Sequence, residues 1–262
     1  MVKKILTAVA IIMLIAGLSL LLFPPISNYI GTQIANSEAE KFDYQLDHII
    51  DDGTSYADAL KNGRVDNDGY LNEDGKKSET PVLFKADLDR LYKDSVDYNE
   101  RLKASQYDLL RNDTYSQSAL DLSDYGINDY IYGYVTAESI NMKLPIYLGA
   151  SNSNMSYGAA HMSGTSLPIG GESTNIVLAG HTGYIGRIFF DNLRNLNIGD
   201  EVTIKNYWSV LKYKVVETKV NKPSESQDVY INDNRDLLTM FTCIEDGYGG
   251  FDRYYVICER VK

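Results

Sequence analysis

Two β-prone runs near the C-terminus, joined by a glycine-rich turn, constrain the fold of this chain most. The first, Asp236-Leu-Leu-Thr-Met-Phe-Thr-Cys243, is apolar and ends on a cysteine. The second, Arg253-Tyr-Tyr-Val-Ile-Cys-Glu-Arg-Val261, begins on an arginine. Residues 244–252 between them hold Gly247, Gly249 and Gly250. This pattern predicts a strand, an irregular loop and an antiparallel return strand, which puts a thiol and a guanidinium at one end of one sheet. Side chains alternate along a strand, so Arg253, Tyr255 and Ile257 share a face and Cys258 takes the other. With Arg253 facing Cys243, Cys258 points away. No disulfide between the two cysteines is expected, and Cys258 reads as a small buried residue.

Further β-prone segments precede this pair, at 131–135, 144–148, 175–180, 201–204 and 211–216, separated by Gly, Asn, Asp and Ser. Short strands at this spacing predict a β-barrel or sandwich beginning near residue 126. The N-terminal part has a different texture. Residues 5–23 carry no charge and are almost wholly apolar, about the 20 residues a helix needs to cross a bilayer. Lys3 and Lys4 place the N-terminus in the cytoplasm and everything after the span outside it. The run is longer than a usual signal core and is followed by Pro24-Pro25 instead of a small-residue cleavage site. A retained signal anchor is therefore preferred to a cleaved signal peptide.

Apolar positions spaced near four residues predict a helix or helices in 26–60 and a second amphipathic helix in 81–110. Residues 61–80, rich in Asn, Asp, Gly and Lys, read as a solvated loop, and 111–129 as polar and turn-rich. Asp66-Asn-Asp-Gly69 and Asn72-Glu-Asp-Gly75 lack the ligand ladder of a calcium loop and read as surface turns. The expected organisation is a cytoplasmic stub and membrane anchor (1–25), a helical and polar region (26–125) and a β-barrel catalytic domain (126–262).

Charge and composition exclude some functions. A net charge of −11 over 262 residues argues against nucleic acid or an anionic membrane surface as a bulk electrostatic partner. Two cysteines are too few for a disulfide scaffold or a cysteine-only zinc site. The thiol and the histidines also lack close ligand spacing, so neither metal nor cofactor is expected.

Of the three histidines, His48 reads as a surface residue, and His161, in a loop-like segment, as either structural or lining a cleft. His181 follows the apolar segment 176–179 and Gly180, and precedes Thr182-Gly183. A strand ending Gly-His-Thr-Gly presents an imidazole at a sheet rim with little cover. Alone, His181 fits a polar surface role equally well, and Cys243 alone fits a buried apolar role. Together with Arg253 they form the minimum kit for thiol acyl transfer. Sulfur attacks a carbonyl, imidazole protonates the leaving amine, and guanidinium steadies the oxyanion or the substrate backbone.

Thr242-Cys243 closing an apolar strand, with Arg253 ten residues on, resembles the signature of the sortases, and Ala179-Gly180-His181 resembles their histidine motif. Gly158-Ala-Ala-His-Met-Ser-Gly-Thr-Ser-Leu-Pro-Ile-Gly-Gly171, Lys143-Leu-Pro-Ile-Tyr147 and Tyr98-Asn-Glu-Arg-Leu102 are similar to class C, the pilin-polymerising sortases. The resemblance implies a closed eight-stranded β-barrel. It makes Cys243 the nucleophile, His181 the general acid/base and Arg253 the oxyanion or substrate stabiliser, with Thr242 and His161 on the substrate-binding side. It implies an LPXTG-like sorting signal cut between Thr and Gly, with transfer to a pilin lysine. The partners it implies are sorting-signal proteins such as pilin subunits, at the surface of a Gram-positive type cell. The Asp-Pro-aromatic lid motif of that class does not occur in this chain; its counterpart is Ala104-Ser-Gln-Tyr-Asp108, with Tyr107 as the plug. Three alternatives stay open: a sortase of another class using a peptidoglycan amine, a hydrolytic cysteine protease, and a non-catalytic extracytoplasmic adaptor.

Overall fold

One helix, α1 (Val2–Asp47), carries the chain out of its apolar N-terminal run and onto the outer wall of a barrel. The computed structural model describes the backbone of residues 2–73, 76–110, 114–184, 186–225 and 227–261. Residues 74–75 and 111–113, part of the expected turn and of the expected turn-rich stretch, lie outside the described residues.

The apolar residues of α1 up to Phe23 are exposed, and by length and composition the helix can cross a membrane. It continues through Pro24 and Pro25, where proline nitrogens leave the carbonyls of Leu20 and Leu21 without their helical donors. Beyond them Ala35, Ala39 and Phe42 are buried, so this half is held by packing on the barrel. The Asp43 carboxylate adds polar ties, accepting from Tyr134 Oη (3.1 Å) and Lys205 Nζ (2.6 Å).

The stretch expected to be a solvated loop is instead folded. A short helix, α2 (Tyr56–Lys61), is capped by the Ser55 hydroxyl accepting from Asp58 N. It leads into a two-stranded hairpin, β1 (Tyr70–Glu73) and β2 (Lys76–Pro81). The Asp66 carboxylate closes the preceding turn, pairing with Lys77 and accepting from Tyr70 N and Asp68 N, and these contacts hold its pKa below the usual carboxylate value. Helix α3 (Lys85–Leu110) follows, bent at Ser105 (φ −146°, ψ 20°). Leu88 and Leu91 of α3 pack with Phe42 of α1 against Tyr132, Leu148 and Tyr207 of the barrel wall.

The barrel is built from β3 (Ile131–Ala137), β4 (Met142–Leu148), β5 (Ala159–His161), β6 (Thr174–Ala179), β7 (Glu201–Asn206), β8 (Val210–Asn221), β9 (Asp236–Glu245) and β10 (Phe251–Arg260). A four-residue helix, α4 (Asn152–Met155), lies between β4 and β5. The strands close in the order β10-β8-β7-β3-β4-β5-β6-β9. β5 places His161 in a strand, where the sequence suggested a loop. Inside, Val135, Leu144, Leu178, Ile204, Tyr213, Met240, Val256 and Cys258 belong to the largest core cluster. β6 is buried on both faces, and so is β9 up to Thr242. One face of each fills the barrel and the other lies beneath outer loops, which explains their continuous apolar runs.

Candidate active site

Three adjacent strands bring the sequence-predicted trio into one row. Arg253 on β10 is the direct antiparallel partner of Cys243 on β9, and such partners project to one face with Cβ atoms about 5 Å apart. On the other flank β6 runs parallel to β9, with Ala179 opposite Phe241 and Gly180 N donating to Phe241 O (3.2 Å). Two residues further along each chain, His181 comes level with Cys243. The row faces outward, because Leu178, Met240 and Val256 occupy the barrel interior. Beneath it lies a separate apolar floor that includes Val177, Ala179, Val229, Phe241 and Tyr255. Cys243 is an exposed free thiol, and His181 and Arg253 are half-buried. Cys258 is a buried free cysteine, and burial pushes its thiol pKa well up.

Local packing explains why each group stands where it does. A Cβ on Gly180 would lie 2.7 Å from the ring of buried Phe190, so only glycine lets the β6 exit pass this close. Phe190 N in turn donates to His181 O (3.0 Å), fixing the backbone of the histidine. Thr242 faces the opposite way from Cys243 and is buried. Its hydroxyl donates to Gly180 O (2.7 Å) and meets the Thr182 hydroxyl (2.6 Å), bracketing His181 from below. The Arg253 guanidinium lies over the Phe241 ring at 5.0 Å, which aims it along the floor.

Two expectations need correction. Thr242 reaches no substrate surface; it ties β9 to the chain on both sides of the histidine. His161 is wholly buried, with Nε2 3.0 Å from the Ser166 carbonyl oxygen and Nδ1 unpartnered. That carbonyl can only accept, so Nε2 carries the proton of a neutral ring. Desolvation lowers its pKa to about 4. A residue so enclosed holds the 161–166 turn and does not line a cleft.

Two of the three stretches that carry the class C resemblance, 98–102 and 158–171, meet in space. Asn99 accepts from Leu167 N (2.8 Å) and donates to Leu167 O (3.3 Å), while Tyr98 Oη accepts from Gly164 N (2.9 Å). Further along α3, Gln106 is buried and bridges two outer loops, donating to Gly164 O and Val229 O and accepting from Ile231 N (2.7 Å). Tyr107 stacks on Tyr230, ring centroids 6.3 Å apart, and Tyr230 packs on the floor of the site. Tyr107 is 57% exposed, and Cys243 is exposed as well. Tyr184 was not singled out from the sequence, yet its ring stacks on the His181 imidazole. Only its place three residues beyond the histidine could have pointed to it. Among the described residues no group of three or more His, Cys, Asp or Glu could hold a metal ion.

An exposed sulfur flanked by imidazole and guanidinium above an apolar floor is equipped for nucleophilic acyl transfer. Comparison with known proteins identifies the family. The Sortase domain family model matches residues 135–261. A pilus-related sortase C of Group B Streptococcus is 30% identical with a TM-score of 0.57, over 67% of this chain and 90% of that one. Sortase C from Clostridium perfringens is 31% identical with a TM-score of 0.54, over 68% of this chain and 91% of that one. Among curated relatives, Sortase A of Streptococcus agalactiae is 26% identical over 163 residues, 60% of this chain and 65% of that relative's length. With its barrel and its family match resting on the same strands, the chain belongs to the sortase family.

Proposed function

We propose that this chain is a membrane-anchored cysteine transpeptidase that cleaves an LPXTG-like sorting signal and transfers the acyl group to a pilin lysine. The observation that carries this reading is the single row of His181, Cys243 and Arg253 across β6, β9 and β10. Cys243 Sγ attacks the threonine carbonyl carbon, and Arg253 donates to the developing oxyanion or to the substrate backbone beside it. As the Thr–Gly bond breaks, the thiol proton passes by way of His181 to the glycine nitrogen, leaving a thioester on Cys243. An acceptor amine then attacks the thioester and gives its proton to His181. The sulfur leaves, and an amide replaces the thioester. In this reading residues 1–25 anchor the enzyme, 26–125 flank it, and 126–262 form the catalytic barrel on the outer face of the membrane.

The similarity to a pilus-related sortase C of Group B Streptococcus supports the lysine acceptor. The match to a relative named Sortase A favours a second reading, a peptidoglycan-type amine. Incubating the protein with an LPXTG peptide and either a pilin-derived lysine peptide or a wall-precursor amine separates the two. The amine found joined to threonine identifies the acceptor. Release of free acid that ignores both amines would mean a hydrolase. Failure of the protein to react with the peptide at all would contradict the enzymatic reading.

A further inference from the structure

The loop that follows His181 is held at both ends, and one of the holders is the anchor helix. At its base the Asp191 carboxylate accepts from Gly183 N (2.7 Å) and Phe189 N (2.9 Å). At its far end Gly186 N donates to Asn28 Oδ1 of α1 (3.1 Å). The two backbones approach closely there. A Cβ on Gly31 would lie 2.2 Å from Gly186 O and 2.4 Å from Arg187 Cγ. Gly186 itself has φ +110°, a conformation open to glycine, and a Cβ there would meet Ser27 Oγ at 3.2 Å. Helix and loop therefore fit through a glycine on each side.

Between these ties stands Tyr184. Its ring lies parallel to the His181 imidazole, with centroids 5.7 Å apart and an interplanar angle of 9°, a geometry within the range of offset stacking. Its other aromatic contact is an edge-on approach to Phe189 at 5.6 Å. Tyr184 is 43% exposed, so burial alone does not orient it. From two residues further along the chain, at Gly186 and Arg187, the loop is held from outside by Asn28 and Gly31. Asn28 follows the last residue of the apolar span, Phe23, by five residues, a rise of about 7.5 Å along a helix. In the proposed anchoring, the contact lies where the chain leaves the membrane.

We infer that the juxtamembrane turn of α1 is a positioning element of the active site: it holds the chain after His181 at Gly186 and Arg187, and that hold keeps Tyr184 against His181. The inference rests on the role of His181 in the proposed reaction. Tyr184 touches no reacting atom; it restricts the plane in which the imidazole exchanges protons with the leaving and attacking amines. The anchor then does more than tether, since the histidine that meets each substrate is oriented from the membrane surface.

The test uses the 262-residue chain in lipid nanodiscs, with a peptide carrying Leu-Pro-Xaa-Thr-Gly and histidine-selective isotope labelling. His181→Gln assigns the His181 Hε1 resonance, whose ring-current shift reports the neighbouring Tyr184 ring. Tyr184→Ala and Gly31→Leu are expected to abolish that shift and to lower kcat about tenfold or more with KM nearly unchanged, since small displacements of a catalytic group are costly. Tyr184→Phe keeps both the shift and the rate. Asn28→Ala, which removes one hydrogen bond without adding bulk, moves both in the same direction by less, and serves if Gly31→Leu fails to fold. Unchanged His181 resonance and kcat in Gly31→Leu and Asn28→Ala, in a wild-type protein that turns over, would overturn the inference and leave the proposed reaction standing. A wild type without turnover whose resonance still responds to Gly31→Leu would instead remove the reaction.

Discussion

Cys243 and Arg253 are direct partners in the β9–β10 ladder, so thiol and guanidinium leave the sheet side by side on its outer face. The guanidinium of the arginine lies over the Phe241 ring, 5.0 Å from its centroid. Lysine keeps the charge but loses the planar two-pronged donor and the stacked geometry. Arg253→Lys should therefore lower kcat/KM for a sorting peptide by about a hundredfold, the scale of removing one oxyanion-type donor. Steady-state kinetics check this, and near-normal turnover would show that positive charge alone suffices.

Gly180 is the narrow point between the β6 exit and the Phe190 ring. A methyl group there has no room, because the three ring atoms nearest its position lie 2.7–3.0 Å away and Phe190 is buried. Gly180→Ala should cost about 1–3 kcal/mol, the usual range for overpacking, and should reduce turnover by shifting His181. Denaturant midpoints and kcat measured on the same preparation check both effects. A variant as stable and active as the wild type would mean that the β6–loop packing yields freely.

His161 gives the stability curve a definite slope. Its pKa falls from about 6.5 in the unfolded chain to about 4 in the fold, because burial disfavours the charged ring. Between those values the unfolded state binds the proton and the native state does not, so stability falls as pH falls from 6.5 towards 4. At full effect this amounts to about 3 kcal/mol. In His161→Gln that contribution is absent, and the difference in unfolding free energy between the two proteins should narrow as pH drops through the window. A constant difference from about pH 7 to about pH 4.5 would contradict a neutral buried imidazole.

Much of this site was legible because strand geometry is periodic. The strand–loop–strand order puts Arg253 at the same sheet end as Cys243, and alternation along 253–261 puts Cys258 on the face opposite Arg253. The missed parts have other causes. β5 is three residues, Ala-Ala-His, with no β-branched side chain to mark it, so His161 was assigned to a loop. The β1–β2 hairpin has polar strands, supported by the Asp66–Lys77 pair, and polar strands without apolar alternation read as loop. Thr242 lies next to Cys243 in sequence but on the other face, so where the resemblance implies a substrate-side residue the fold provides a brace. The stack of Tyr184 on His181 lies in a loop tied to α1, 158 residues away in the chain at the Gly186–Asn28 hydrogen bond. No local pattern encodes that.

The proposed reaction stands or falls on Cys243 Sγ being the atom to which substrate becomes joined. Mass analysis of the intact protein after mixing with an LPXTG peptide, and again after adding an amine, tests this most directly. The expected result is a mass increase equal to the peptide up to its threonine, mapped to Cys243, discharged by the amine and absent in Cys243→Ala. An adduct elsewhere, or cleavage that continues in Cys243→Ala, would contradict it.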